Sequence, residues 1–203
     1  MAKLRLTKNE LKLKKDALKR FNRYLPMLQL KKQQLQVEIG RVDNSIAKLN
    51  AQINDFKSRV FSWVDLFAEG VDLNSLLVIK KINTDTGNIA GIDIPLFINV
   101  DFKEQGYDYF LIPFWVDRAV EVLKEGITQK ARLLILEKQR ITLQEELRIT
   151  TQRVNLFEKI KIPEALESIR IIQIHLGDLQ IAGVVRGKIA KAKIEKRRES
   201  VSV

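Results

Sequence analysis

The chain has 203 residues, 45% apolar and 30% charged, with no cysteine and one histidine. Without thiols there are no disulfides, no thiol catalysis and no thiolate-built zinc site, and a single histidine leaves zinc or copper without a ligand set. No run approaches the roughly 18 consecutive apolar residues of a membrane-crossing helix, and the basic start lacks the apolar segment of a signal peptide, so the expectation is an intracellular soluble protein.

The net charge of +11 is unevenly spread: 15 Lys+Arg stand against 5 Asp+Glu in residues 1–63, 5 against 11 in 64–126, and 16 against 9 in 127–203. Basic ends around an acidic middle suit nucleic acid or a membrane surface, but also suit Lys and Arg coating the outside of long helices. Charge alone leaves both readings open.

In chain order, the first element is a helix over 4–63. One column at seven-residue spacing runs Leu4, Leu11, Leu18, Leu25, Lys32, Ile39, Ile46, Ile53 and Val60. A second, three positions on, runs Thr7, Lys14, Phe21, Leu28, Leu35, Val42, Leu49, Phe56 and Trp63. Only Thr7, Lys14 and Lys32 interrupt them. A heptad sustained this long predicts a left-handed supercoil with a partner. The helix would be on the order of 90 Å long, far beyond the usual globular length. Pro26 removes an amide hydrogen, but it follows the seam residue Leu25 on the outward side, where a helix can bend around it. Lys32 in the seam fixes register at a cost in stability.

Periodicity stops in 64–77. Residues 76–82 are rich in branched side chains and read as a strand, 83–88 are dense in turn formers, and 89–100 read as a return strand with Pro95 at a sheet edge. Gly106 and Pro113 bracket a loop containing Tyr107, Asp108, Tyr109 and Phe110. Two strands alone are marginal in water, so this lobe is expected to lean on the helices or on another protein.

Helix resumes near Phe114, with Pro113 placed at its first turn. Its stripe is Leu133, Leu136, Arg140, Leu143, Leu147, Thr150, Val154 and Phe157, continued past Pro163 by Leu166, Ile169, Ile172, Leu176 and Leu179. The stripe then thins into Ala182, Gly183, Gly187 and Ala190, and residues 186–198 form a basic tail.

The simplest fold is mainly α: a long antiparallel two-helix coiled coil from the N- and C-terminal segments, with a small β-hairpin lobe between them. The division is 1–63 for the first helix, 64–113 for the lobe and 114–203 for the second helix and tail. The seam is assigned to Leu11, Leu18, Leu25, Leu28, Leu35, Ile39, Val42, Ile46, Leu49, Ile53 and Phe56, facing Leu136, Leu143, Leu147, Val154 and Phe157.

Intrinsic catalysis finds little support. His175 lies in a helical run, no phosphate-binding glycine loop occurs, and the Glu145–Glu146 pair belongs to a solvated helix face. No cofactor is expected. Nucleic-acid binding would be supported by aromatics among the basic residues; the tail has none, and Phe21 belongs to the seam. A freestanding coiled-coil adaptor or secretion chaperone is a further reading, and would form a stable homo-oligomer.

Several segments, in order, resemble the D subunit family of V-type (A/V-type) ATPases. They are Leu6-Thr7-Lys8-Asn9-Glu10-Leu11; Leu28-Gln29-Leu30-Lys31-Lys32-Gln33-Gln34-Leu35; Asn88-Ile89-Ala90-Gly91-Ile92-Asp93-Ile94-Pro95; and Thr151-Gln152-Arg153-Val154-Asn155-Leu156-Phe157-Glu158. Ile162-Pro163 and Ile169-Arg170-Ile171-Ile172 follow the last of these. Pro26, and Gly177-Asp178-Leu179-Gln180-Ile181-Ala182-Gly183 where the family carries an acidic run, depart from the pattern. The resemblance implies a non-catalytic rotor-shaft subunit, monomeric when isolated, cytoplasmic and peripheral to the membrane. Its implied partners are the A and B subunits of the catalytic hexamer, the F subunit and the C (d-type) subunit, with no nucleic acid and no membrane insertion. Ile89, Gly91, Ile92, Pro95, Tyr107 and Tyr109 are its implied hairpin and partner contacts.

Overall fold

The computed structural model describes residues 4–61, 77–104, 113 and 115–199. The expectations for Trp63, Gly106, Tyr107, Asp108, Tyr109, Phe110 and Phe114 lie outside the described residues. The architecture is mainly α, an antiparallel two-helix coiled coil from the N- and C-terminal segments with a β-hairpin between them. In order come α1 (Lys8–Phe61), β1 (Leu77–Ile89), β2 (Ile92–Glu104), α2 (Trp115–Leu156), a π-helical turn (Phe157–Lys161) and α3 (Ile162–Glu199).

Helix α1 opens on a threonine N-cap. The Thr7 Oγ1 accepts the Glu10 N–H at 3.3 Å and the Thr7 carbonyl accepts the Leu11 N–H at 3.0 Å. Thr7 therefore ends the heptad column as a cap: its side chain satisfies an amide that the first turn leaves without a helical partner. The helix then runs unbroken through Pro26, which is exposed. Helix α2 is described from Trp115, and near its start the Val116 N–H donates to the Pro113 carbonyl at 3.0 Å.

The contacts form two units that cut across the three sequence segments. One comprises residues 31–150. Its core joins Leu35, Ile39, Val42, Ile46 and Leu49 of α1 to Leu133 and Leu143 of α2 and to Ile94 of β2. Here the helices are antiparallel: Lys31 Nζ meets Glu146 Oε1 at 3.1 Å, Arg140 reaches toward Asp43 at 3.9 Å, and Phe56 lies over Gly126. A Cβ at Gly126 would come within 3.1 Å of the Phe56 ring, so the glycine makes room for the aromatic.

The hairpin differs from the sequence expectation. Residues 83–88, read as a loop, are strand: Asn83 pairs with Asn99, Thr86 with Pro95 and Asn88 with Asp93. The reversal occupies only Ala90 and Gly91, at φ 53° and 78°, so these two also leave the predicted return strand. Positive φ at both central residues is the two-residue hairpin turn that matches strand twist. The polar residues fit a strand because they bond across it. Asn83 Nδ2 donates to Asn99 Oδ1 and Asp101 Oδ2, and Asn88 Nδ2 donates to Asp93 Oδ1. Asn88 Oδ1 also accepts the Gly91 N–H. Two register shifts, at Ile79/Lys81 and Asn83/Thr84, interrupt the ladder.

The hairpin does lean on the helices. Ile94 is 1% exposed within the helix core, with Ile89, Ala90 and Ile92 packed beside it. The Pro95 carbonyl accepts from Gln139 Nε2, and the Arg132 guanidinium sits 5.3 Å from the Phe97 ring centroid. At the other end Leu77 packs with Val116 and Val120 of α2.

The second unit comprises residues 1–30 and 151–203. Phe21 and Phe157 pack with their rings tilted at 46° and centroids 5.3 Å apart, and Val154, Ala165, Ile169 and Ile172 are buried. Leu166 and Leu179, expected in the stripe, are exposed, and Ala165 occupies the buried position instead. The π-turn shifts the helical phase by one residue between Phe157 and Ile162, so the upstream heptad count does not carry across it.

Candidate interaction surface

Leu35, Ile39, Val42, Ile46, Leu49, Leu143 and Val154 are buried, while Leu11, Leu18, Leu25, Leu28, Ile53, Phe56, Leu136, Leu147 and Phe157 are half-buried. Burial is deeper in residues 31–150, where the hairpin covers the helix pair. Lys32 is half-buried. Its neighbour Lys31 makes the cross-helix ion pair with Glu146, which sequence inspection passes over because each residue sits beside the apolar column.

Of the hairpin residues assigned to a partner, Ile89, Ile92 and Pro95 are half-buried. Ile89 and Ile92 pack on the helix core, and Pro95 is tied to Gln139. A two-stranded sheet must cover one face to persist, and these side chains do so internally. Gly91 stands exposed at the turn. The hairpin surface left for another molecule carries Val78, Ile79, Ile82, Leu96 and Ile98.

A further apolar row stands exposed along α3, at Ile174, Ile181, Val184, Val185 and Ile189, spaced to share one helix face. From Asp178 to Arg197 every side chain is exposed except half-buried Ala182. Arg186, Lys188, Lys191, Lys193, Lys196 and Arg197 make this end strongly basic. On outer faces, Glu145 with Arg148 and Glu167 with Arg170 form two-pronged pairs one turn apart. Hydrogen bonds from the arginines hold both carboxyls below their ordinary range. Being fully solvated, such pairs give solubility and helix support more than fold stability.

Among the described residues no cluster of three His, Asp or Glu side chains could hold a metal, and no helix is long and apolar enough to cross a membrane. His175 is half-buried in α3, apart from any acid–base constellation. What the surface offers is contact area: apolar rows edged by charge on paired helices and on a hairpin.

These features define an antiparallel coiled-coil protein with a hairpin laid against its helix pair. Residues 10–192 match the profile of the ATP synthase D subunit. A V-type ATP synthase D subunit from Borreliella burgdorferi is 46% identical over 202 residues, covering 99% of this chain and all of that one. Proteins of the same name from Chlamydia caviae and Chlamydia abortus are 37% and 34% identical, each covering 98% of this chain and 97% of the relative. The chain belongs to the ATP synthase D subunit family.

Proposed function

We propose that the chain is the central rotor shaft of a V-type ATP synthase, carrying torque between a catalytic A/B hexamer and a membrane ion-translocating ring. The observation that carries this reading is the long first helix, 54 residues without a break, paired antiparallel with the C-terminal segment. Torque passes along two helices only if they do not slide, and the apolar seam with the Lys31–Glu146 tie opposes sliding. The chain itself performs no catalytic step. It turns inside the sleeve formed by A and B, while the hairpin end binds F and docks on the C (d-type) subunit at the cytoplasmic face.

The test is a motor reconstituted with and without this chain, measuring ATP hydrolysis and ion transport together. Omission is expected to leave hydrolysis that no longer drives transport; undiminished coupling in its absence overturns the proposal. The basic end of α3 also allows a nucleic-acid reading, whose mark would be an affinity for duplex DNA falling steeply with salt.

A further inference from the structure

The π-turn at Phe157–Lys161 is the one interruption in an otherwise α-helical run from Trp115 to Glu199. The Ile162 N–H bonds to the Phe157 carbonyl, five residues back, so this turn holds one residue more than an α-turn. The covered positions explain why. Before the turn two heptad columns of covered side chains run Leu143–Thr150–Phe157 and Leu147–Val154; after it two run Ala165–Ile172 and Ile162–Ile169–Leu176, with Thr151, Ser168 and His175 half-buried beside them. Within each column the step is seven, and across the turn it is eight.

We propose that Phe157–Lys161 is a one-residue skip, pinned at this place by the sequence, that keeps the apolar stripe of residues 154–176 in phase on both sides of the turn. An uninterrupted α-helix would turn about 100° too far at the extra residue. Carried forward without the skip, the upstream columns would bring the exposed Lys161, Glu164 and Asp178 into the seam. Carried backward, the downstream columns would bring in the exposed Glu158, Asn155 and Arg148. Each direction would bury charged or amide side chains, so the skip cannot migrate as an isolated defect could.

Pro163 favours the same site, since it has no N–H to offer the Lys159 carbonyl and its ring crowds that oxygen. The phase change, however, is written in residues on both sides of the proline. The inference concerns helix phase alone and does not rest on the torque reading.

Single-residue deletions in the full chain, followed by thermal unfolding in circular dichroism, test it. Deleting exposed Lys159 closes the π-turn into an α-turn without rotating either stripe, and the midpoint is expected at or above that of the parent. Deleting Gln152 rotates Val154 and Phe157 out of the seam and lowers the midpoint. Deleting Gln144 rotates Leu147 and Thr150 out as well and lowers it further. The same ranking is expected in a Pro163→Ala background. Equal losses for the three deletions, or an unchanged midpoint in all of them, overturn the proposal. So does a ranking that disappears with Pro163→Ala, which would make the turn a consequence of the proline alone.

Discussion

Leu35 and Leu143 are fully enclosed where the helices meet, so truncating either removes buried methyl groups that the surroundings only partly refill. Leu35→Ala or Leu143→Ala is expected to cost about 2–5 kcal/mol, read as a lowered thermal midpoint. Leu30→Ala, at an exposed site on α1, should change stability by less than about 0.5 kcal/mol. The hairpin turn gives the opposite sign. Ala90 takes a left-handed φ of 53°, a conformation that costs an alanine roughly 1 kcal/mol and asparagine less. Ala90→Asn is therefore expected to stabilise the chain by about 0.5–1 kcal/mol in denaturant unfolding, by forming the favoured Asn-Gly turn. Gly91→Val, at φ 78°, should destabilise it.

Titration is also decided at single residues. Glu145 and Glu167 have carboxyls held low by Arg148 and Arg170, so their pairs are formed at neutral pH and lost as pH falls through that lowered range. Glu145→Gln with Glu167→Gln should show a smaller loss of helical signal than the parent on acidification from about pH 7 to about pH 3.

Among the elements, α1 was the most legible because its two columns depend only on composition at fixed spacing. The interruptions at Thr7 and Lys32 have local meaning, one as a cap and the other as a half-buried polar residue. The hairpin was half legible. Its strands were recognised by branched residues, but Asn83, Asp85, Gly87 and Asn88 carry turn chemistry in a strand, and only cross-strand bonding to Asn99, Asp101 and Asp93 reveals that. The actual turn, Ala-Gly, lacks the usual signature. Leu166 was misplaced because the smaller Ala165 beside it takes the buried position, and Leu179, seven residues past buried Ile172, is in phase but stands where α3 has almost nothing packed on it.

The hairpin is also more than an appendage. Because Ile94 is buried in the helix core, Ile94→Ala should lower stability by about 2–5 kcal/mol, as large a loss as a seam truncation. An equal midpoint would mean that the hairpin rests on the helices without supporting them.

At the scale of the whole molecule, the family was legible from short segments because they fall in the right order along most of the chain. The partner surface was less so, since residues that look free for contact in a sequence can be taken up by the protein's own packing. The final turns of α3 point to a different fate. From Asp178 onward the helix has almost no covered side chain, yet a free helix of about 20 residues is marginal in water. In isolated protein this end should fray, and brief trypsin treatment should clip it first, at Arg186 and the lysines beyond, while residues 31–150 resist. In a copy outside its assembly, the exposed apolar row at Ile181, Val184, Val185 and Ile189 is therefore expected to be the first surface that loosens from the helix and opens to cleavage.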